Sequence, residues 1–252
     1  MNDVSENMNR FGLASDVLIN VFQDIVGLKK YPGREISLLN ANYWLAFFLE
    51  IFFKGYFGSE FIDGENIPEQ GSALVAANHL SHLDGLIINA ASISARKRPV
   101  VFLAAADVYE SNIMFRTMCD LVNCIPIKRD ERDMVALRKT VRLLKDGGLF
   151  GIFPEGQRSR DGKMGEVKEG VAVIAMATGS PVVPIGLTGT FEAFPRKTKL
   201  LKPAKIRLKV GQAIELKKQK HPSQRTINTA MNKIVKEISR LYSEVCEESR
   251  PG

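Results

Sequence analysis

Residues 73–90 read ALVAANHLSHLDGLIINA. The first five, Ala73–Ala77, are small or aliphatic and predict a buried strand. A polar cluster follows, Asn78-His79-Leu80-Ser81-His82-Leu83-Asp84, and then an apolar run of helical character. Strand, polar turn and helix in direct succession are the unit from which α/β layer folds are built.

The alternation continues outward from there. Short apolar runs predict strands at 100–104, 122–127, 149–153, 182–187 and 206–210. A helix is predicted over 131–145, with Met134, Leu137, Val141 and Leu144 on its buried face and Gly147-Gly148 after its end. A second is predicted over about 169–178, and a third over 223–247, where Ile227, Met231, Ile234, Ile238, Leu241 and Val245 keep register. The expected class is α/β: a central, mostly parallel or mixed sheet flanked by helices, with an N-terminal helical membrane-associating segment. The expected division is 1–58 for the N-terminal helices and 59–252 for the α/β domain, with the boundary inside 55–68.

The N-terminal part is unusual. Residues 11–28 carry a helical stripe that Tyr31-Pro32-Gly33 ends. Residues 38–57 concentrate aromatics: Tyr43, Trp44, Phe47, Phe48, Phe52, Phe53, Tyr56 and Phe57. On a helix, only Asn42, Ala46, Glu50 and Lys54 line up as a weakly polar strip, along which Glu50 and Lys54 can pair. A helix apolar around most of its circumference is either buried or in lipid. Trp and Tyr in a basic chain suit a bilayer interface; packing against the main domain suits the pattern equally.

The bulk numbers narrow the partners. The 252 residues, 45% of them apolar, suffice for one sizeable core, and the net charge of +7 suits an anionic partner. Three cysteines without a C-x-x-C spacing argue against a disulfide framework and for a reducing cytosol. The acidic start, with Asp3 and Glu6, lacks the basic opening of a signal peptide. No run reaches the roughly 20 apolar residues that span a bilayer, so the expectation is a soluble or monotopic protein.

Two segments carry chemistry. In the first, His79 is a candidate general base, because imidazole titrates near neutral pH. Asp84 is the candidate carboxylate that orients it. Five residues apart on a regular helix they would point roughly 140° away from each other. They converge only if His79 lies in the turn and Asp84 in the first helical turn. A structural reading competes: Ser81-x-x-Asp84 also has the form of a capping box. The second segment is Phe153-Pro154-Glu155-Gly156-Gln157-Arg158-Ser159-Arg160-Asp161-Gly162, at a predicted strand end where α/β sheets bind ligands. Gly156 permits a tight turn, Arg158 and Arg160 offer planar forks for phosphate, and Ser159 offers a hydroxyl. The competing reading is a solvated turn. Lys128-Arg129, after Ile125-Pro126-Ile127, can add cations to an anion pocket or simply face solvent. Val183-Pro184-Ile185 places a proline inside a strand, which implies an edge or a bulge.

These segments together resemble the 1-acyl-glycerol-3-phosphate acyltransferase family. Asn78, His79 and Asp84, with Ser81, match its N-H-x-x-x-x-D pattern, and Phe153–Ser159 matches its F-P-E-G-x-R-S pattern. Order and spacing agree, and the likeness covers about residues 60–215. Gln157 replaces the family's usual Thr, and His82 a frequent aromatic. The resemblance implies that His79 takes the proton of an acceptor hydroxyl and Asp84 orients it. Arg129, Glu155, Gly156, Arg158 and Ser159 would form the acceptor site. The donor would be acyl-CoA or acyl-carrier protein as co-substrate, with no cofactor and no metal. The acceptor would be lysophosphatidic acid, and the product phosphatidic acid. Glycerol-3-phosphate or another lysolipid is the alternative acceptor.

The chemistry is consistent with that reading. A thioester is already activated, so a positioned base suffices to make an alcohol attack it. The oxyanion formed needs donors, for which backbone N–H groups near a helix start are the expectation. Between residues 196 and 220 the cations Arg196, Lys197, Lys199, Lys202, Lys205, Arg207, Lys209, Lys217, Lys218 and Lys220 meet only Glu215 in the sequence. Near anionic lipid each such charge adds about 1 kcal/mol of attraction. The expected place is the cytoplasmic face of a membrane, held peripherally. Two rivals stand beside it. In a metal-dependent hydrolase, His79, His82 and Asp84 would be ligands. In a basic nucleic-acid module, aromatics would interleave with the charges; here they cluster in one helix, so no nucleic-acid partner is expected.

Overall fold

The computed structural model describes residues 48–249, apart from 111–112, 114–115, 117–118, 120–123, 128–133, 197 and 199. The predicted helix at 11–28 and residues 38–47 of the aromatic segment lie outside the described residues.

The described chain runs α1 (48–57), β1 (Glu60–Ile62), β2 (Ala73–Ala77), α2 (Leu83–Arg96), β3 (Val100–Ala105), α3 (Ala106–Tyr109), β4 (Ile125–Ile127), α4 (Met134–Lys145), β5 (Leu149–Ile152), α5 (Gly170–Thr178), β6 (Val182–Thr188), α6 (Thr190–Ala193), β7 (Arg207–Val210) and α7 (Gln224–Glu247). The strands form one sheet in the order β1-β7-β6-β2-β5-β3-β4. Five neighbouring pairs are parallel, and only β6 and β7 run antiparallel. The α/β class with a mixed sheet therefore stands as expected. The strand Glu60–Ile62 was not anticipated, because three half-buried residues carry too little periodicity to show.

Strand alternation sends side chains to two cores. From β2, Ala73, Val75 and Ala77 join one core with α1 and α2, while Leu74 and Ala76 join the other with α5 and α7. Both faces of β2 are covered, which is why its sequence is a continuous apolar run. Each fully buried Leu or Ile in these layers contributes about 1.5–3 kcal/mol. In α7, Ile227, Met231, Ile234, Ile238, Leu241 and Val245 are all buried, as their spacing predicted, and Ser223 caps the helix by accepting from Thr226 N–H.

Two expectations change, and the choice between edge and bulge is decided for a third. The buried face of α4 is Ala136, Thr140 and Leu144, whereas Met134 and Leu137 are exposed. Small residues lie inward because the helix seats closely on the sheet, and an apolar count cannot detect that. Second, Pro184 sits in β6, an interior strand. Val182 pairs with Ile214 and Ile185 with Val210, so three steps on β6 oppose four on the partner. That one-residue bulge falls where proline lacks its N–H.

Third, the basic stretch is not unopposed. Lys205 and Arg207 each lie 2.6 Å from Glu60, and Lys209 lies 3.0 Å from Glu244. Partners from β1 and α7 thus neutralise the β7 cations, which weakens this stretch as a lipid-binding surface.

The approach of α7 to β6 is set by one glycine. A Cβ at Gly186 would lie 2.3 Å from Tyr242 N and 2.4 Å from Leu241 C. Any side chain there would push the helix off the sheet. This places Tyr242 beside the strand ends described next.

Candidate active site

β2, β5 and β6 point the same way, so the loops after Ala77 and Ile152 leave the sheet along one edge. Asn78 fixes the first loop. Its side chain donates to Leu187 O and accepts from Leu187 N–H, both at 2.9 Å, which locks the loop to β6. His79 follows in the turn, and Asp84 lies in the first turn of α2, the arrangement their spacing required.

His79 Nδ1 and Asp84 Oδ2 are 2.8 Å apart. The same oxygen accepts Leu80 N–H at 2.6 Å and Ser81 N–H at 2.8 Å. One half of the Ser81–Asp84 capping box is thus formed, by Ser81 N–H on Asp84, while Ser81 Oγ donates to Phe194 O and Asp84 N–H goes to Ser81 O; the oxygen that closes this turn also holds the imidazole. Asp84 is fully buried, and its Oδ1 has no hydrogen bond. A carboxylate on Nδ1 holds the proton there and leaves the Nε2 lone pair for a substrate hydroxyl. The His79 side chain is 18% exposed, enough for one edge of the ring to meet a ligand. Its face stacks on Phe153 with centroids 3.9 Å apart, and Phe153 stacks in turn on Phe102. Phe153 belonged to the sequence motif but was not expected to support the imidazole; a ring contact across two loops leaves no sequence signal.

The second loop is tied to the first through the backbone. Glu155 Oε1 accepts His79 N–H at 2.7 Å, and its Oε2 accepts Gly165 N–H at 2.8 Å. Ser159 N–H donates to His79 O at 2.8 Å. Burial pushes the Glu155 carboxyl above the ordinary carboxylate range, against the lowering effect of those two N–H groups. With each oxygen bonded to a backbone N–H, Glu155 ties the two loops together while lining the cleft between them. Gly156 has φ +65°, a left-handed turn conformation, and its N–H closes the turn onto Phe153 O. Ser159 was expected to donate to a ligand. Its hydroxyl instead lies 3.2 Å from Asp161 Oδ1 and accepts Asp161 N–H, so it orders the loop tip.

The loop encloses a cleft of about 320 Å³ lined by Arg158, Arg160, Lys163 and Glu155 among others. Arg158 thus lies on the His79 side of the sheet, one residue from the Ser159–His79 bond. Arg129 lies outside the described residues. The expected oxyanion donors at the helix start are already engaged: Leu80 and Ser81 N–H by Asp84, and His79 N–H by Glu155. Among the described residues no three His, Cys, Asp or Glu side chains gather as a metal site, so His82 does not join His79 and Asp84 in a ligand set.

This arrangement sets an oriented base beside a polar loop whose cleft mixes Arg158, Arg160 and Lys163 with Glu155, Asp161 and Glu166, which suits proton removal from the hydroxyl of a polar molecule. Known proteins agree with that class. A family model described as Acyltransferase matches residues 59–188. A probable 1-acyl-sn-glycerol-3-phosphate acyltransferase of Mycoplasma pneumoniae is 29% identical over 195 residues, which cover 74% of this chain and 72% of that protein. A chloroplastic 1-acyl-sn-glycerol-3-phosphate acyltransferase of Brassica napus is 35% identical over 134 residues, 52% of this chain but 37% of its own length. In fold, the crystal structure of the 1-acyl-sn-glycerophosphate (LPA) acyltransferase PlsC from Thermotoga maritima matches with a TM-score of 0.64 at 24% identity, covering 95% of this chain and 90% of that one. The family match spans the sheet edge that holds both loops, and the chain belongs to the acyltransferase family of enzymes.

Proposed function

We propose that this acyltransferase moves a fatty acyl chain from the thioester of acyl-CoA or acyl-carrier protein to the free hydroxyl of 1-acyl-glycerol-3-phosphate. The observation that carries the reading is the 2.8 Å His79–Asp84 contact beside a loop bearing Arg158. His79 Nε2 takes the hydroxyl proton as the oxygen attacks the thioester carbonyl. The tetrahedral oxyanion collapses, the ester forms and the C–S bond breaks. The departing thiolate takes the proton back from the imidazolium that Asp84 stabilises. No covalent acyl-enzyme and no metal enter this sequence. Arg158 supplies a planar cation for the acceptor phosphate, and Arg129 is a candidate for the same pocket.

The test is acyl transfer by the purified protein, with either thioester, to lysophosphatidate and to glycerol-3-phosphate. Preference for the former supports the reading. Preference for the latter favours the alternative acceptor. Arg158→Ala is expected to raise KM for the phosphorylated acceptor about 10- to 100-fold, the scale of one charge-assisted bond, with a far smaller effect on a phosphate-free lysolipid. Equal losses with both acceptors count against a phosphate contact.

The reading includes work at a membrane surface, at its cytoplasmic face. Glu60 pairs with Arg207, and Arg207 with Thr188 at the end of β6, so α1 enters the sheet at the edge that carries His79. On α1, Phe53 and Phe57 are buried, while Phe48, Ile51, Phe52 and Tyr56 are exposed. The Glu50–Lys54 pair forms at 2.5 Å. One face thus joins the core and the other offers an apolar strip beside the site, suited to the bilayer interface. Among the described residues no helix is long and apolar enough to cross a membrane. Phe48→Glu with Phe52→Glu is expected to shift the protein from pellet to supernatant when vesicles containing anionic lipid are sedimented. Deleting α1 would be a poorer test, because it removes Phe53 and Phe57 from the core. Undiminished pelleting of the double variant would assign the contact to another surface.

A further inference from the structure

The acceptor loop has a contact that the reaction scheme does not use. Tyr242, on the C-terminal helix α7, donates its hydroxyl to Gly162 O at 2.7 Å. One turn earlier, Ser239 Oγ lies 3.6 Å from Met164 Sδ. The two contacts hold the loop between Arg160 and Gly165, on the side away from His79. The near side is held by Ser159 N–H on His79 O and by Glu155 between His79 and Gly165. Of the cations that line the cleft, Arg160 lies on the span between the Ser159 and Gly162 anchors, Lys163 follows Gly162, and Arg158 precedes the Ser159 anchor.

The anchor is itself fixed. The Tyr242 ring is partly buried against the core, and the absence of a side chain at Gly186 sets where its backbone lies. Phe191 supports the loop tip from below; a Cβ at Gly162 would be 3.2 Å from its ring. The hydroxyl therefore projects from α7, beside Cys246, to the Gly162 carbonyl of a largely surface-exposed loop.

We infer that Tyr242 is a positioning residue for the acceptor: its hydroxyl clasps the loop tip to α7 and so holds Arg160, on the span between the two anchors, as a second guanidinium for the acceptor phosphate beside Arg158. The clasp rests on the acceptor reading given above. It touches neither His79 nor the reacting atoms, so its loss acts on acceptor binding and not on proton transfer.

Tyr242→Phe removes the hydroxyl and keeps the ring. Three measurements test it: steady-state kinetics with lysophosphatidate, the thermal midpoint, and amide hydrogen exchange across residues 158–166. The expected result is a KM raised about 3- to 10-fold, the scale of one hydrogen bond, with kcat within about two-fold. Exchange in 158–166 should speed up, while the midpoint stays close to the parent. In the Arg160→Ala background, Tyr242→Phe should add little to KM, because the group it positions is gone. A parental KM, or a KM effect that simply adds to that of Arg160→Ala, would overturn the positioning role. Unchanged exchange in 158–166 would overturn the clasp. If neither Arg158→Ala nor Arg160→Ala alters acceptor KM, the acceptor reading fails and the positioning role with it; the exchange data then still score the clasp separately.

Discussion

His79→Ala is expected to lower turnover about 10²- to 10⁴-fold while the protein stays folded. The acceptor alcohol is a poor nucleophile at neutral pH, and in the proposed scheme His79 Nε2 is the one group that takes its proton. The fold should tolerate the change. His79 is held to its neighbours mainly by backbone: its N–H bonds Glu155 and its carbonyl accepts Ser159 N–H, and alanine keeps both. Asp84 Oδ2 also retains Leu80 and Ser81 N–H. The lost ring leaves a gap beside Phe153, so a small fall in thermal midpoint is expected. Single-turnover rates with saturating acceptor, alongside a circular dichroism melt, check the prediction. A well-folded variant turning over near the parental rate would remove His79 from the mechanism.

Asp84→Asn should cost roughly 10²-fold or more in turnover, and stability as well. The carboxylate does two things at once. It balances the imidazolium that forms as the proton moves, and it accepts two backbone N–H groups in a fully buried place. The amide has the same shape but no charge, so the imidazolium loses its partner. One of its two heavy atoms becomes a donor, placed where Oδ1 now has no partner or against the N–H groups of Leu80 and Ser81. Either outcome leaves buried polar groups unsatisfied, at about 1–3 kcal/mol. Urea denaturation should therefore show a lower midpoint together with the lost rate. If Asp84 acts through His79, the double variant His79→Ala/Asp84→Asn will turn over about as slowly as His79→Ala alone. Multiplying losses would instead mean that Asp84 works independently.

Much of this site was legible before any coordinates. A strand followed by Asn78-His79 and then an apolar helix announced itself, because burial on both faces of a parallel strand leaves an unbroken aliphatic run. The second loop was visible for a similar reason: proline, glycine and clustered arginines after a strand have few uses other than a turn at a binding edge. The choice between helix-start residue and histidine partner for Asp84 was not legible. A single oxygen serves both, and only the turn geometry reveals it.

Local order in this protein was thus written in the chain itself: strand and helix periods, the ends of α7, and the two loops rich in polar groups are relations between near neighbours. Tertiary structure alone decided which groups meet. It set Glu60 and Glu244 against cations that looked unopposed, turned α4 onto Ala136 and Thr140, and spent the Ser159 hydroxyl on Asp161. It also brought Tyr242 to a carbonyl 80 residues away. The physical reason is that burial and pairing depend on whatever element arrives from elsewhere, and no periodicity along the backbone encodes that arrival.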